Sequence, residues 1–262
     1  MLLTPIVCAA ILARAWRWSE LAVVIAAFVG LSAKDPLVDL LRQRFVWKQS
    51  HEETAAAACW FTGWMVLLIA SGLVLLATWP IKATISMGLG VALFSTLAIA
   101  VNVKNEQRST LFQIASALAL TSSSLAVCLS ATGTIPRWCW ALWLLMALQA
   151  TAGILVVHAR LDAKIAARLA AKTGQQNAIQ PDETFRRAAW TTLAVLLCTA
   201  VAAICLGRLW IALALLTAAT GYAYDLRRQR NAAALNTPLT TVGQRALALS
   251  CIYALLLIAG LW

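Results

Sequence analysis

The stretch VVHARLDAKIAARLAAK, Val156 to Lys172, decides how the rest of the chain is read. An apolar segment, residues 138–157, runs straight into it. There the chain turns polar while its helical period persists: Arg160, Lys164, Arg168 and Lys172 recur every four residues, with Leu161, Ile165 and Leu169 one position on. That spacing predicts a helix leaving an oily medium with a cationic stripe along one side. Three similar exits follow apolar runs near Lys34, Lys104 and Arg227.

Composition agrees with that reading. Of 262 residues, 62% are hydrophobic and only 12% are charged, about half the charged share of an average soluble domain. Mean hydropathy is +0.80. A water-soluble fold cannot hide so much apolar surface, so the chain is expected to be an all-α, polytopic transmembrane bundle in one domain, residues 1–262. The net charge of +11 would suit nucleic acid. Its lysines and arginines sit at the ends of apolar segments, however, where cations orient a protein in a bilayer and meet anionic lipid, so no nucleic-acid partner is expected.

Nine apolar segments are predicted: 2–17, 20–33, 56–78, 84–102, 110–131, 138–157, 188–206, 209–224 and 245–262. The first, second and eighth fall short of the ~20 residues that cross the hydrocarbon as a helix. Ser50 with Glu53, and Thr241 with Gln244, read as capping boxes; Pro80 and Pro136 read as short turns and Gly174 as a helix stop. The loops after segments two, four, six and eight, with the segment ends that border them, hold 16 Lys and Arg, against 5 for the alternate loops counted the same way. By the positive-inside rule the first set is cytoplasmic. The N-terminus is then cytoplasmic and the C-terminus periplasmic or extracellular, in a bacterial inner membrane. Many tryptophans, including Trp16, Trp18, Trp79, Trp138, Trp140, Trp210 and Trp262, fall near the sparsely charged side, as an interfacial aromatic belt would.

The seven cysteines (Cys8, Cys59, Cys128, Cys139, Cys198, Cys205 and Cys251) lie in or beside apolar segments without C-x-x-C spacing. They read as small hydrophobes, with no metal or redox site. The first run lacks a basic leader and a cleavage site and reads as a retained helix.

Polar residues concentrate at the cation-rich exits. Asp35 and Asp39, four apart, share a helix face and suit a divalent cation; equally, Asp35 before Pro36 reads as an N-cap. Asn102, Lys104 and Arg108 suit a phosphate or simply obey the charge rule. His158 and Asp162 suit a His–carboxylate pair, without the third ligand a metal needs, and Arg160 suits a clamp on an anion. These eight are the candidate ligand-binding residues; no catalytic residue is assigned. Thr121, Ser122, Ser123 and Ser124 form a polar run inside the fifth segment that suits close helix packing. Almost no ionisable residue lies within the hydrocarbon, which weakens a small permease. Phosphate-loop, nucleophile-elbow and zinc-helix motifs are absent.

The order of features resembles the YwiC-like family of bacterial membrane proteins. The residues that carry the resemblance are MLLTPIVCAAIL at the start, SAKDPLVDLLRQR (Ser32 to Arg44), VNVKNEQRSTLFQIASALALTSSSLA (Val101 to Ala126), ALQATAGILVVHARL (Ala147 to Leu161) and VGQRALAL (Val242 to Leu249). The family brings no established activity. Its members open with a basic and acidic pair and His-Gly-x-Trp ahead of the first helix, which implies either a natural start upstream of Met1, as the short first segment favours, or a member that lacks this opening. The arrangement is also similar to UbiA-type prenyltransferases, with nine helices and two Asp-rich motifs holding Mg²⁺ and a prenyl diphosphate. That resemblance sets Asp35 and Asp39 at the first motif, Lys104 and Arg108 near the basic diphosphate end of helix four, and Asp162 at the start of the second motif. Lys34 stands where the first motif has Asn, and Ala166 where a second carboxylate is expected. The expectation is therefore a UbiA-like fold whose cytoplasm-facing mouth takes an anionic lipid or isoprenoid-phosphate-like ligand, with cations dominating over metal. Mg²⁺ enters only with prenyl transfer, and whether the protein is an enzyme stays open.

Overall fold

A helix stands at each predicted apolar segment. A computed structural model describes residues 2–47, 54–103, 110–173, 183–229, 231, 235 and 237–262. Among them the helices are α1 (Leu3–Ala13), α2 (Trp18–Leu41), a π-helical turn (Arg42–Trp47), α3 (Thr54–Thr78), α4 (Ile81–Val103), α5 (Thr110–Thr121), α6 (Ser123–Thr132), α7 (Arg137–Thr173), α8 (Glu183–Cys205), α9 (Leu209–Arg228) and α10 (Leu239–Leu261). The described residues contain no strand. Eight helical stretches are long and apolar enough to cross a membrane, α5 and α6 together supplying one of them. The eighth predicted segment lengthens to 20 residues and qualifies; α1, at 11 residues, does not.

Local chemistry accounts for most boundaries. The α3–α4 turn is set by Pro80, whose carbonyl accepts the N–H groups of Ala83 and Thr84 at 2.9 and 3.0 Å. Gly133 closes α6 at φ +76, returning its N–H to the Leu129 carbonyl at 2.8 Å; that left-handed conformation is one glycine adopts without a Cβ penalty. At the start of α2, Glu20 folds back to accept the Arg17 N–H at 3.2 Å, a capping box that orders the short α1–α2 link.

Two predicted boundaries differ. Pro36 lies inside α2, so Asp35 is not an N-cap. Eighteen helical residues already lead into the proline, and a membrane helix tolerates the missing amide where neighbouring groups re-satisfy the freed carbonyl. Thr241 lies inside α10, which begins at Leu239 after Pro238, so the Thr241–Gln244 box does not form its cap. A proline at φ −57 sets the helix start three residues early. Ser50, Glu53 and Gly174 lie outside the described residues.

The chain divides into two compact units, Met1–Trp143 and Leu144–Trp262, the division falling within α7. In the first, α6 is the interior helix: Leu125, Val127, Cys128, Leu129, Ser130 and Ala131 are all buried. α1 packs on α6 through Ile6, Cys8, Ala9 and Leu12, and α2 packs on both α6 and α3. Phe28 meets Trp64 edge-on at 6.3 Å across the α2–α3 pair. The outward faces of α3 and α4, including Trp60, Ile69, Leu73, Ile85, Leu89 and Leu93, expose apolar side chains, the surface that lipid tails accept.

In the second unit α9 lies between α8 and α10. Its buried face is built from Ala212, Ala214, Leu215, Ala218 and Ala219; such small residues let backbones approach, which is what binds helices where lipid competes equally for apolar contact. A Cβ at Gly260 would stand 2.7 Å from Ile211 Cγ1 and 2.9 Å from the Ile211 backbone nitrogen, so α9 and α10 meet there closely enough to need glycine.

Candidate functional site

The candidate residues divide between the two units. In the first, Asp35 and Asp39 lie one turn apart near the end of α2, and both are exposed. The Asp35 carboxylate is 79% exposed, with Lys34 Nζ 3.7 Å away; solvent screens so open a pair. Asn102 falls in the last turn of α4, and Lys104 and Arg108 lie outside the described residues.

In the second unit α7 carries the stripe that the sequence predicts, continuous as far as Thr173. Its 37 residues make ~55 Å of helix, well beyond the ~30 Å of hydrocarbon, so its last turns stand clear of the bilayer. His158 is half-buried and stacks on Phe185 of α8, ring centroids 5.3 Å apart. Asp162 is half-buried one turn further on. Arg160, also half-buried, donates from Nη2 to the Thr237 hydroxyl at 3.0 Å and to the Thr237 carbonyl at 3.4 Å, which ties α7 to the segment leading into α10.

Arg160 also belongs to a charge cluster that the sequence did not predict. The charges acting on Asp225, at the end of α9, are those of Arg245 from α10, Arg160 from α7 and Arg228 from α9 itself. Three guanidinium groups, one from each of three helices, thus act electrostatically on one half-buried carboxylate, and the four groups together carry net positive charge. Gln229 donates to the Val156 carbonyl at 3.1 Å and locks the same end of α9 onto α7.

Deeper in this unit lies a second polar group. Gln149 Nε2 donates to Tyr222 Oη at 3.2 Å and to Ser250 Oγ at 2.9 Å, and Tyr222 donates to the Gln149 carbonyl at 3.3 Å. Tyr253 donates to the Leu145 carbonyl at 2.9 Å. α7, α9 and α10 are therefore joined inside the apolar layer by hydrogen bonds. The signal for Gln149 was one amide among some twenty apolar residues; the signal for Arg245 was one cation a turn and a half inside the last apolar helix.

The cysteine reading needs correction. Cys128 and Cys139, both fully buried, form a disulfide between α6 and the first turn of α7. Eleven residues separate them, and the Gly133 and Pro136 turn brings them back together. Cys8 is buried and free; Cys59, Cys198, Cys205 and Cys251 are exposed and free. Among the described residues, no three His, Cys, Asp or Glu side chains gather as metal ligands.

Helices of this length and apolarity, with polar groups drawn to their ends, define a polytopic all-helical membrane protein. The family model described as YwiC-like protein matches residues 1–129, just under half of the chain, and that part is similar to the family. No curated protein and no solved structure matches the chain.

Proposed function

We propose that this YwiC-like membrane protein binds an anionic amphiphile, a lipid or isoprenoid phosphate, with its phosphate at the cation-rich end of the second unit. What supports the reading is that Arg160, held at Thr237, and Arg228 and Arg245 act electrostatically on the single carboxylate of Asp225, at the end of α9 that Gln229 joins to α7. Guanidinium groups match phosphate oxygens in pairs and stay charged at any physiological pH. His158 and Asp162, two residues to either side of Arg160, lie on the other face of α7 and belong to this reading only as polar groups of the same helix end. Asp35, Asp39, Asn102, Lys104 and Arg108 belong to the same reading as cytoplasm-facing polar groups of the first unit. The YwiC-like match supports the membrane assignment and leaves the ligand to experiment.

The test is binding of a short-chain prenyl phosphate, and separately of phosphatidylglycerol, to the full chain in nanodiscs of zwitterionic lipid. A charge-assisted hydrogen bond is worth about 1.5–3 kcal/mol, so Arg160→Gln or Arg245→Gln should each weaken the preferred ligand about ten- to a hundredfold. Asp225→Asn should preserve or tighten binding. Unchanged affinity in the Arg160→Gln/Arg245→Gln double variant would refute the seat. Prenyl transfer makes a separate demand: Mg²⁺-dependent turnover that is lost in Asp35→Ala, Asp39→Ala and Asp162→Ala.

A further inference from the structure

The first unit gathers three chain turnings at one end. Ser19 Oγ, at the start of α2, donates to the Ser130 carbonyl at 3.4 Å, and Trp79 Nε1, at the α3–α4 turn, donates to Ser130 Oγ at 2.8 Å. Ser130 itself lies just before the α6–α7 turn. The α1–α2, α3–α4 and α6–α7 connections therefore share one end of this unit. Between them they carry just four cations, Arg14, Arg17, Lys82 and Arg137, which by the positive-inside rule is the pattern of a non-cytoplasmic face. The same end holds the Cys128–Cys139 disulfide, and disulfides form and persist in oxidising compartments rather than beside cytosolic thiol reductants.

Charge distribution and covalent chemistry are independent signals, and here they agree. We infer that the α6–α7 end of the first unit lies on the non-cytoplasmic side of the membrane and that the Cys128–Cys139 bond is made there, as a structural staple of α6 to α7. In its formation the two thiols lose two protons and two electrons to a disulfide-bearing oxidant of that compartment. A sulfur–sulfur bond forms between Cys128 and Cys139, the oxidant's own breaks, and the oxidant leaves as a dithiol. Both sulfurs end in the packed interior around α6, shielded from thiols in solution. This reading needs no ligand, so it stands or falls separately from the phosphate seat.

Two measurements on the full chain test it. In acid-quenched cells expressing the protein, denatured and treated with a mass-tagging maleimide, five of the seven cysteines should react before reduction and all seven after it. In the Cys128→Ser variant, six should react before reduction. Reaction of all seven wild-type thiols without reductant would overturn the staple. For sidedness, Thr134→Cys in a background with every native cysteine replaced should be labelled by a membrane-impermeant maleimide in intact cells. Labelling confined to permeabilised cells would overturn the assignment. If the cysteine-free background fails to accumulate, alkaline phosphatase fused after Thr134 of the otherwise native sequence answers the same question: an active enzyme supports the inference and an inactive one contradicts it.

Discussion

Gly260 shows how little room the second unit leaves. A methyl group there would press on a backbone nitrogen of α9, which cannot step aside as a flexible side chain can. Gly260→Ala should therefore cost about 1–3 kcal/mol, as overpacking does elsewhere. Gly30→Ala, in the middle of α2 with nothing within 4 Å of the new methyl group, should be neutral or stabilise by up to about 1 kcal/mol through helix propensity. Thermal unfolding of the two variants in one detergent checks this, and equal midpoints would contradict it. Gln149→Leu belongs to the same scale. It removes the amide that serves both Tyr222 and Ser250, and hydrogen bonds between membrane helices are worth about 0.6 kcal/mol on average and up to about 1.7. A loss in that range, read from the unfolding midpoint, is expected, and an unchanged midpoint would mean that the network contributes nothing. Neither residue was legible beforehand. Periodicity marks an apolar face, but which glycine meets which backbone depends on partners distant in sequence. Asp225 and Arg245 were visible as charges at helix ends, and only the fold brings them to one place.

Between α5 and α6 the expected single span is interrupted at Ser122. Thr121, Ser122, Ser123 and Ser124 each return a hydroxyl to a carbonyl three or four residues back, at 2.7–3.0 Å. Such back-bonding competes with the helix ladder and bends it. The run was read from sequence as packing chemistry, and its action on the backbone was not foreseen, because four consecutive hydroxyls compound an effect that is slight for one. The double variant Ser122→Ala/Ser123→Ala should restore a continuous helix and slow amide hydrogen exchange at residues 122–126. Exchange that is unchanged or faster would assign the break to packing around α6. α7 illustrates the opposite case. Its period, its cationic stripe and its passage from oil to water were all legible, since each is written in consecutive residues of one helix.

The alternation of charge between loops was the most legible feature of the whole molecule, and it requires only that consecutive spans cross in opposite directions. Nine apolar segments were expected, and helices stand at all nine places. α1, however, is about 16 Å long at 1.5 Å per residue, roughly half the hydrocarbon thickness, and cannot span it as a straight helix. The pattern from α2 onward is indifferent to whether α1 crosses. Only the side on which the N-terminus lies depends on it. The most direct measurement is a pair of sidedness reporters placed on either side of one span, after Thr173 and after Gly207, flanking α8. The account predicts a cytoplasmic signal at Thr173, where the cationic end of α7 emerges, and a non-cytoplasmic signal at Gly207. The reverse assignment, or the same compartment for both, would contradict it.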